Sequence, residues 1–183
     1  VEQMWAVKRI ATLYGAQLSG YSDHYIKKGD GDDYLIMDDK AANRKGLELL
    51  EIDQDENRFL EGLNDADLFV NFNNDLFRTG SDEKVKALLK STARISVCSH
   101  DYEVFRRSDV ILPSASYSEY GGTVISEQGI LQKFEKAVFK DADPKDVLEI
   151  TRLLGGAITD ANRAWKGIRQ SIEALADVEP EKI

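Results

Sequence analysis

Residues 108–138 read SDVILPSASYSEYGGTVISEQGILQKFEKAV, and this stretch decides the predicted fold. Its apolar run at 110–112 stops at Pro113, which is typical of a short buried strand because proline has no N–H for the sheet ladder. A polar, serine-rich loop follows, and the adjacent glycines Gly121 and Gly122 let the backbone bend sharply. The stretch therefore predicts a buried strand that leads into a glycine-bent loop.

A small β-hairpin is predicted directly after this loop. Residues 123–125 and 130–134 are rich in β-branched and apolar side chains, and Gly129 lies between them. Two such segments joined by a short connection that contains glycine are typical of an antiparallel pair of strands. We therefore expect a hairpin that is separate from the main sheet.

Two more strands are predicted upstream of this stretch. Residues 67–73 and 93–99 read as strands, and the segment 81–90 between them has Ser81 as a helix N-cap and apolar residues at helical spacing. A strand, a helix and a second strand in this order predict a right-handed parallel crossover. With residues 110–112 as the third strand, the sequence predicts an open, mainly parallel α/β sheet.

Amphipathic helices are predicted to flank this sheet. The first, over residues 2–14, is expected to end at Gly15. A shorter helix is expected to be capped by Asp38 or Asp39 and to run through Leu50. The remaining helical segments are predicted at residues 55–63, 102–107, 146–154 and 160–176.

Composition limits the classes of function. The chain has 183 residues, of which 42% are hydrophobic, so it is long enough for a domain with a sizeable core. Its formal net charge of −9, without a basic patch, argues against direct binding to nucleic acid. No apolar run approaches the roughly 20 residues that a membrane-spanning helix needs. Because residue 1 is Val, we expect a processed chain or a piece of a longer one.

Cysteine use excludes two further kinds of site. Cys98 is the single cysteine, so the chain cannot form an internal disulfide. It cannot hold a cysteine-ligated iron–sulfur cluster alone either, because such clusters need about four thiolates. The alternation of side chains along the strand places Cys98 in the core as a small apolar residue. No glycine-rich nucleotide loop is present, so an independent NAD or ATP site has no support.

Polar residues follow each predicted strand at its carboxyl end, where ligands bind in open α/β sheets. Asp101 beside His100 would suit general-base catalysis, but neighbours at a strand end point in opposite directions, so we expect no catalysis here. His24, in a polar loop, is expected to be solvated. The polar residues at these ends are Asn73, Asn74 and Asp75 after the first strand, Ser99, His100 and Asp101 after the second, and Ser114 to Glu119 after the third.

Glu119 belongs to a set of loop residues with two possible roles. Together with Gly122 and Thr123 it could form part of a ligand site. We favour a structural role, in which the carboxylate accepts backbone N–H bonds across the glycine bend. The same choice, between polar loops that cap the sheet and a ligand site, applies to the other strand ends.

The central stretch resembles a sequence block of the molybdopterin oxidoreductase family, which includes the large iron–sulfur subunit of NADH:quinone oxidoreductase (complex I). An acidic residue precedes Val-Ile-Leu-Pro, a Glu follows six residues after the Pro, and Gly-Thr and then Gly and Gln come later. Ser126, Gln128 and Ile130 stand where the family has Asn, Glu and Arg, which argues against a cofactor contact at those positions. Asn43 and Gly46 also resemble an Asn-x-x-Gly of the complex I subunit. The matching positions in the block are Asp109, Val110, Leu112, Pro113, Glu119, Gly122, Thr123, Gly129 and Gln132.

The resemblance runs best over residues 57–139. It implies an open, mainly parallel Rossmann-like sheet with flanking helices and a small β-hairpin. We therefore divide the chain into an N-terminal helical and loop segment (1–56), a family-like α/β core (57–139) and C-terminal helices (140–183).

The resemblance also implies a function. It suggests the C-terminal scaffold part of a complex I large subunit, which supports electron transfer from NADH to quinone without carrying a redox centre or a catalytic residue. The iron–sulfur clusters would lie upstream in the parent protein. The implied partners are other subunits or the cluster-bearing part of the same protein, at the cytoplasmic side of the inner membrane and without insertion into it.

Two other functions stay open at this point. The first is the cofactor-binding portion of a molybdopterin enzyme such as a formate dehydrogenase, and the second is a non-catalytic protein-interaction domain. The first would place a pterin against the strand-end and hairpin residues, which are Asn73, Asn74, Ser99, His100, Asp101, Glu119, Gly122 and Thr123.

Overall fold

A computed structural model describes residues 1–20, 31–32, 34, 43–74, 76, 92–138 and 144–180. The chain divides into two compact units. The first unit comprises residues 1–20, 42–53 and 115–183, and the second unit comprises residues 21–41 and 54–114. No helix within the described ranges is both long and apolar enough to cross a bilayer.

The described elements are six α-helices, five strands and a final 3₁₀ turn. In chain order they are α1 (Glu2–Leu13), α2 (Arg44–Leu49), α3 (Glu56–Asn64), β1 (Leu68–Phe72), β2 (Ala93–Cys98), α4 (Glu103–Arg106), β3 (Val110–Pro113), β4 (Gly122–Ile125), β5 (Leu131–Phe134), α5 (Val147–Leu153), α6 (Ala161–Ser171) and the 3₁₀ turn Glu173–Leu175.

The predicted α/β fold is confirmed. Strands β1, β2 and β3 form a parallel sheet in that order, and β4 and β5 form a separate antiparallel pair. Each strand lies within a residue or two of its predicted position. The predicted helix at 81–90, Asp38, Asp39 and His24 lie outside the described residues. The prediction that Asp38 or Asp39 caps the helix that runs to Leu50 is wrong, because α2 begins at Arg44 and its N-cap is Asn43 in the left-handed conformation.

The second unit has its core on one side of the parallel sheet. Phe59 and Leu63 of α3 pack with Val104 of α4 and with Leu76, and Phe69 of β1 packs against this cluster. Helix α3 begins where the sequence predicts, because the side chain of Asp55 accepts a hydrogen bond from the backbone N–H of Arg58 at 2.9 Å.

The first unit is built from α1, α2, α5, α6 and the hairpin β4–β5. Helix α1 ends as predicted before Gly15, whose φ of +62° suits glycine. The core joins residues that are far apart in sequence, because the amphipathic stripes of the helices meet the hairpin. Its buried members include Trp5, Leu50, Ile125, Ala164, Trp165 and Ile168.

The prediction of one helix over 160–176 is wrong at its C-terminal end. Helix α6 ends at Ser171, and Ile172 has an extended backbone with φ −121° and ψ 104°. The following turn brings both Ile172 and Leu175 into the core of the first unit. A β-branched residue accepts an extended backbone readily, and no glycine or proline marks the break in the sequence.

A buried carboxylate, that of Glu2, joins three segments of the first unit. Its Oε2 accepts the backbone N–H of Thr123 in β4 at 3.0 Å, and its Oε1 accepts Nε1–H of Trp165 in α6 at 2.8 Å. The α-ammonium group of Val1 lies 3.5 Å from Oε2. Burial by itself raises the pKa of Glu2, but the Val1 charge and the hydrogen bonds outweigh it and hold the pKa below its ordinary value.

A second side chain, that of Asn43, attaches α2 to the same strand. Asn43 adopts the left-handed backbone conformation at the N-cap of α2, and its Oδ1 accepts the backbone N–H of Ile125 at 2.8 Å. The N–H groups of Thr123 and Ile125 lie on the edge of β4 that does not face β5. Side-chain oxygens of Glu2 and Asn43 therefore accept the backbone N–H groups of this edge. In a larger sheet, a neighbouring strand would accept them.

The Asn-x-x-Gly pattern has a steric basis here. A Cβ at Gly46 would lie 2.6 Å from Asn43 Oδ1, the same oxygen that binds the N–H of Ile125. Only a residue without a side chain leaves the carboxamide in place.

We expect Glu2→Gln to lower the free energy of unfolding by about 1–3 kcal/mol at neutral pH, because the amide cannot accept both hydrogen bonds as a carboxylate does. The lowered pKa of Glu2 also has a pH consequence. Its stabilisation is complete above the unfolded-state pKa of about 4.3 and is lost as pH falls through the lower folded-state pKa. Urea unfolding between pH 3 and pH 7 measures both effects.

The matched control is Glu127→Gln, which changes an exposed carboxylate in the hairpin loop. The stability difference between wild type and Glu2→Gln should shrink at acidic pH, whereas the control should follow wild type throughout. A difference that stays constant with pH would contradict the role of the Glu2 charge.

We expect Gly46→Ala to destabilise the chain by about 1–2 kcal/mol, although alanine is the better helix former. The new methyl group would displace Asn43 and leave the N–H of Ile125 without its acceptor. Thermal unfolding measures the change, with Lys45→Ala at the exposed neighbouring position as the control. A more stable Gly46→Ala variant would show that the carboxamide contact contributes nothing.

Candidate functional site

Asn73 connects the carboxyl ends of all three parallel strands. It follows β1 and has a positive φ of 51°. Its Oδ1 accepts the backbone N–H of Ser99, which follows β2, at 2.7 Å. Its Nδ2 donates to Oγ of Ser114, which follows β3, at 3.4 Å. Both ends of the carboxamide are therefore used within the second unit.

Asn71 is a buried polar residue beneath this loop. Its side chain is almost fully buried, and its Nδ2 donates to the backbone carbonyl of Asn74 at 2.8 Å. The same Nδ2 lies 3.7 Å from Sγ of Cys98. Cys98 is buried in β2, so its prediction as a small core residue is confirmed.

His100 and Asp101 do not act on each other. Asp101 pairs with the guanidinium of Arg106, with Nε–H donating to Oδ1 at 2.9 Å, and this hydrogen bond lowers the pKa of Asp101. The ring of His100 instead contacts Ser99, with 2.9 Å between Nδ1 and Oγ, and stacks on Tyr102 at a centroid distance of 5.8 Å. The carboxylate that would orient a catalytic imidazole is thus engaged elsewhere.

Glu119 has the contact of a loop-fixing residue. It is buried in the first unit, and its Oε2 accepts the backbone N–H of Ser116 at 2.8 Å. The carboxylate therefore binds the backbone three residues before it and closes the serine-rich loop. The bonded N–H is that of Ser116, whereas the sequence suggested N–H groups of the glycine bend.

Gly122 and Thr123 attach the hairpin to α1. The N–H of Thr123 binds Glu2, and the backbone of Gly122 passes close enough that a Cβ there would lie 3.4 Å from Glu2 Oε2 and 3.4 Å from the ring of Phe134. Both residues therefore pack tightly within the first unit.

The three departures from the family block lie in the turn of the hairpin. Oγ of Ser126 accepts the N–H of Ile130 at 3.1 Å, and Gly129 has a φ of +81° that closes the turn. Ile130 and Gln128 are exposed. The hydroxyl of Ser126 has a local structural role at this position.

The candidate residues belong to two different units. Asn73, Asn74, Ser99, His100 and Asp101 are brought together in the second unit. Glu119, Gly122 and Thr123 lie in the first unit.

Two residues that shape these sites were not predicted, namely Glu2 and Asn71. A polar residue inside an apolar strand is a signal that could have revealed Asn71, because a buried amide needs a partner. Glu2 carries no comparable signal, since its partners Thr123 and Trp165 are distant in sequence.

The polar groups at the strand ends do not fit a pterin ligand as they stand. A pterin would need unengaged donors and acceptors at this edge, but the side chains of Asn71, Asn73 and Asp101 are committed to other protein groups. Among the described residues, no group of three or more His, Cys, Asp or Glu side chains could hold a metal ion.

Known proteins share sequence with a large part of this chain. A family model described as molybdopterin oxidoreductase matches residues 54–157. The G-type subunit of NADH-quinone oxidoreductase from Yersinia pestis is 32% identical over 98 residues, which cover 51% of this chain and 10% of that protein. The corresponding protein of Pseudomonas fluorescens is 30% identical over 124 residues, which cover 66% of this chain and 13% of that protein. The matched part of the chain thus spans about a tenth of the length of these relatives.

We expect Asn73→Ala to destabilise the chain more than Asn73→Gly. Both variants lose the hydrogen bonds to Ser99 and Ser114, which costs about 1 kcal/mol or more. The left-handed backbone conformation also destabilises the alanine variant by roughly 1 kcal/mol, because glycine adopts this conformation freely and alanine does not. Chemical denaturation of the two variants separates the side-chain contribution from the backbone contribution. Equal stability of wild type and Asn73→Gly would show that the carboxamide bridge is not stabilising.

Proposed function

Because this chain belongs to the molybdopterin oxidoreductase family, we propose that it is a scaffold portion of a larger protein that resembles the G-type subunit of NADH-quinone oxidoreductase. In this role it supports electron transfer from NADH to quinone and carries no redox centre or catalytic residue. The observation that carries the proposal is the use of the Asn73 carboxamide to tie the three strand ends together.

The arrangement of the strand ends supports a scaffold over a pterin site. In open α/β sheets this edge binds ligands through polar groups that are free to reach them. Here the bonds of Asn71 and Asn73 stabilise the loops themselves, and Arg106 occupies the carboxylate of Asp101. Opening the edge to a pterin would break several of these bonds at once.

The redox groups of the proposed assembly lie outside this chain. Cys98 is buried beside Asn71 and cannot supply the set of thiolates that an iron–sulfur cluster requires. Iron–sulfur clusters would therefore belong to the rest of the larger protein. Its partners would be that cluster-bearing part and neighbouring subunits, in a complex peripheral to the inner membrane on its cytoplasmic side.

Metal and pterin analysis tests this proposal against a molybdopterin-binding function. The 183-residue chain and the larger protein that contains it would be purified from cells supplied with molybdate. We expect far less than one molybdenum atom and one pterin per chain, measured by mass spectrometry and by fluorescence of the oxidised pterin. A stoichiometric pterin that is lost in Asn73→Gly would overturn the scaffold proposal.

Activity of the larger protein provides the second readout. Asn73→Gly should lower the yield of assembled protein but leave the rate of NADH-dependent quinone reduction per iron–sulfur centre unchanged, because a scaffold residue acts through stability. Asp101→Asn, at an exposed ion pair, is the matched control and should change neither quantity. A fall in rate at unchanged iron–sulfur content would point to a direct role in the chemistry.

A further inference from the structure

One face of the parallel sheet is entirely apolar. Residues that are paired in register point to the same side of a sheet, and alternate residues along a strand point to opposite sides. The register therefore assigns eight side chains to this face, which we call the open face. They are Leu68, Val70, Phe72, Ala93, Ile95, Val97, Val110 and Leu112.

The opposite face carries the small polar residues and is covered along most of β1 and β2, whereas Ile111 of β3 is exposed on this face. Phe69 packs there against the cluster formed by α3 and α4. Asn71, Ser96 and Cys98 are buried on that side, and Oγ of Ser96 lies 2.6 Å from Oγ of Ser108. Polar side chains are thus buried on this face, whereas several apolar side chains are exposed on the open face.

The open face is exposed at the amino-terminal half of the strands. Leu68 is 50% exposed, Val70 36% and Val110 47%, although Val97 near the carboxyl end is fully buried. Purely parallel sheets are normally covered on both faces, and neighbouring exposed apolar side chains of this kind mark interaction sites. This exposure therefore indicates a missing partner element.

The connections between the strands are not expected to supply that element. Right-handed crossovers in a sheet of order β1-β2-β3 run on a single face. Helix α4 in the second crossover covers the side of Phe69, and Leu76 after β1 lies in the same cluster. Among the described residues, neither connection covers the amino-terminal half of the open face, where Leu68, Val70 and Val110 stay exposed.

The charge next to the open face limits the chemistry of the partner. Asp65 and Asp67 are exposed immediately before β1. Asp109, immediately before β3, is also exposed but is paired with Arg94 at 3.5 Å. Among the described residues, negative charge is therefore in excess at the amino-terminal edge of the open face, which complements a partner with basic residues.

We propose that the open face docks an amphipathic α-helix, with its apolar stripe on Val70 and Val110 and with Lys or Arg side chains beside Asp65 and Asp67. A helix fits because helices cover the faces of parallel sheets. This inference rests on the proposed function only for the origin of the helix, which would belong to the larger protein. The matched part of this chain covers 10% and 13% of its two relatives, so most of their length is available to provide it.

Binding of synthetic peptides to the 183-residue chain tests this inference. The probes are three labelled 18-residue peptides: a Leu/Ala-striped helix flanked by Lys, the same helix flanked by Glu, and a Lys-flanked peptide with a scrambled stripe. Fluorescence anisotropy should show the Lys-flanked helix binding about tenfold more tightly than either other peptide. We expect added salt to reduce the advantage over the Glu-flanked helix.

Paired variants of β3 identify the face that is used. Val110→Lys, and Val70→Lys on β1, should weaken binding about tenfold, since burial of one valine side chain is worth that much. Ile111→Lys is the matched control, because Ile111 is 39% exposed on the opposite face of the same strand. Circular dichroism and thermal unfolding must show that the variants remain folded, and Val70→Thr replaces Val70→Lys if it does not fold.

Three results would overturn the inference: equal binding of all three peptides, equal weakening by Ile111→Lys and Val110→Lys, or a self-associated chain that Val70→Lys converts to a monomer. The last would assign the open face to a second copy of the chain, and sedimentation velocity detects it. Molybdenum bound to a chain that still docks the helix would reject the proposed function alone, so the two failures can be distinguished.

Discussion

The buried carboxylate of Glu2 is the constraint on which the first unit depends. Strand β4 has a partner on one side only, and a buried backbone N–H without an acceptor is costly. Glu2 and Asn43 supply acceptors to the other edge, at Thr123 and Ile125. Because Glu2 also binds Trp165, the position of the hairpin is coupled to those of α1 and α6. The hairpin that resembles the family block is therefore held by residues outside that block.

At the strand ends of the second unit, side chains again supply hydrogen-bond partners to the backbone. The carboxamide of Asn73 accepts from Ser99 and donates to Ser114, so the loops after three strands form one hydrogen-bonded layer. Such a layer needs no ligand to satisfy its polar groups. This is the link between structure and function, because the edge at which open sheets bind ligands is used here for stability. Together with the family relationship, it favours a scaffold over a cofactor site.

The two faces of the sheet extend this argument to the surface of the protein. A scaffold acts through what it contacts, and the open face offers apolar side chains that the described part of the chain leaves exposed. The face covered by α3 and α4 accommodates Asn71 and Ser96 because neighbouring groups satisfy them. Exposed apolar side chains on one face, beside buried polar side chains on the other, are what we expect of a domain that belongs to a larger assembly.

Local patterns in the sequence determined the elements. Pro113 and Gly15 act on their own neighbourhoods, and periodicity marks the other elements, so the three parallel strands, the hairpin and most helix ends could be predicted. The end of α6 at Ser171 could not, since burial of Ile172 and Leu175 decides it. Tertiary structure alone decided the partners of Glu2 and Asn73 and paired Asp101 with Arg106 in place of His100. The physical reason is that turn and periodicity signals span a few residues, whereas Glu2 and Trp165 are 163 residues apart and meet only when the chain has folded.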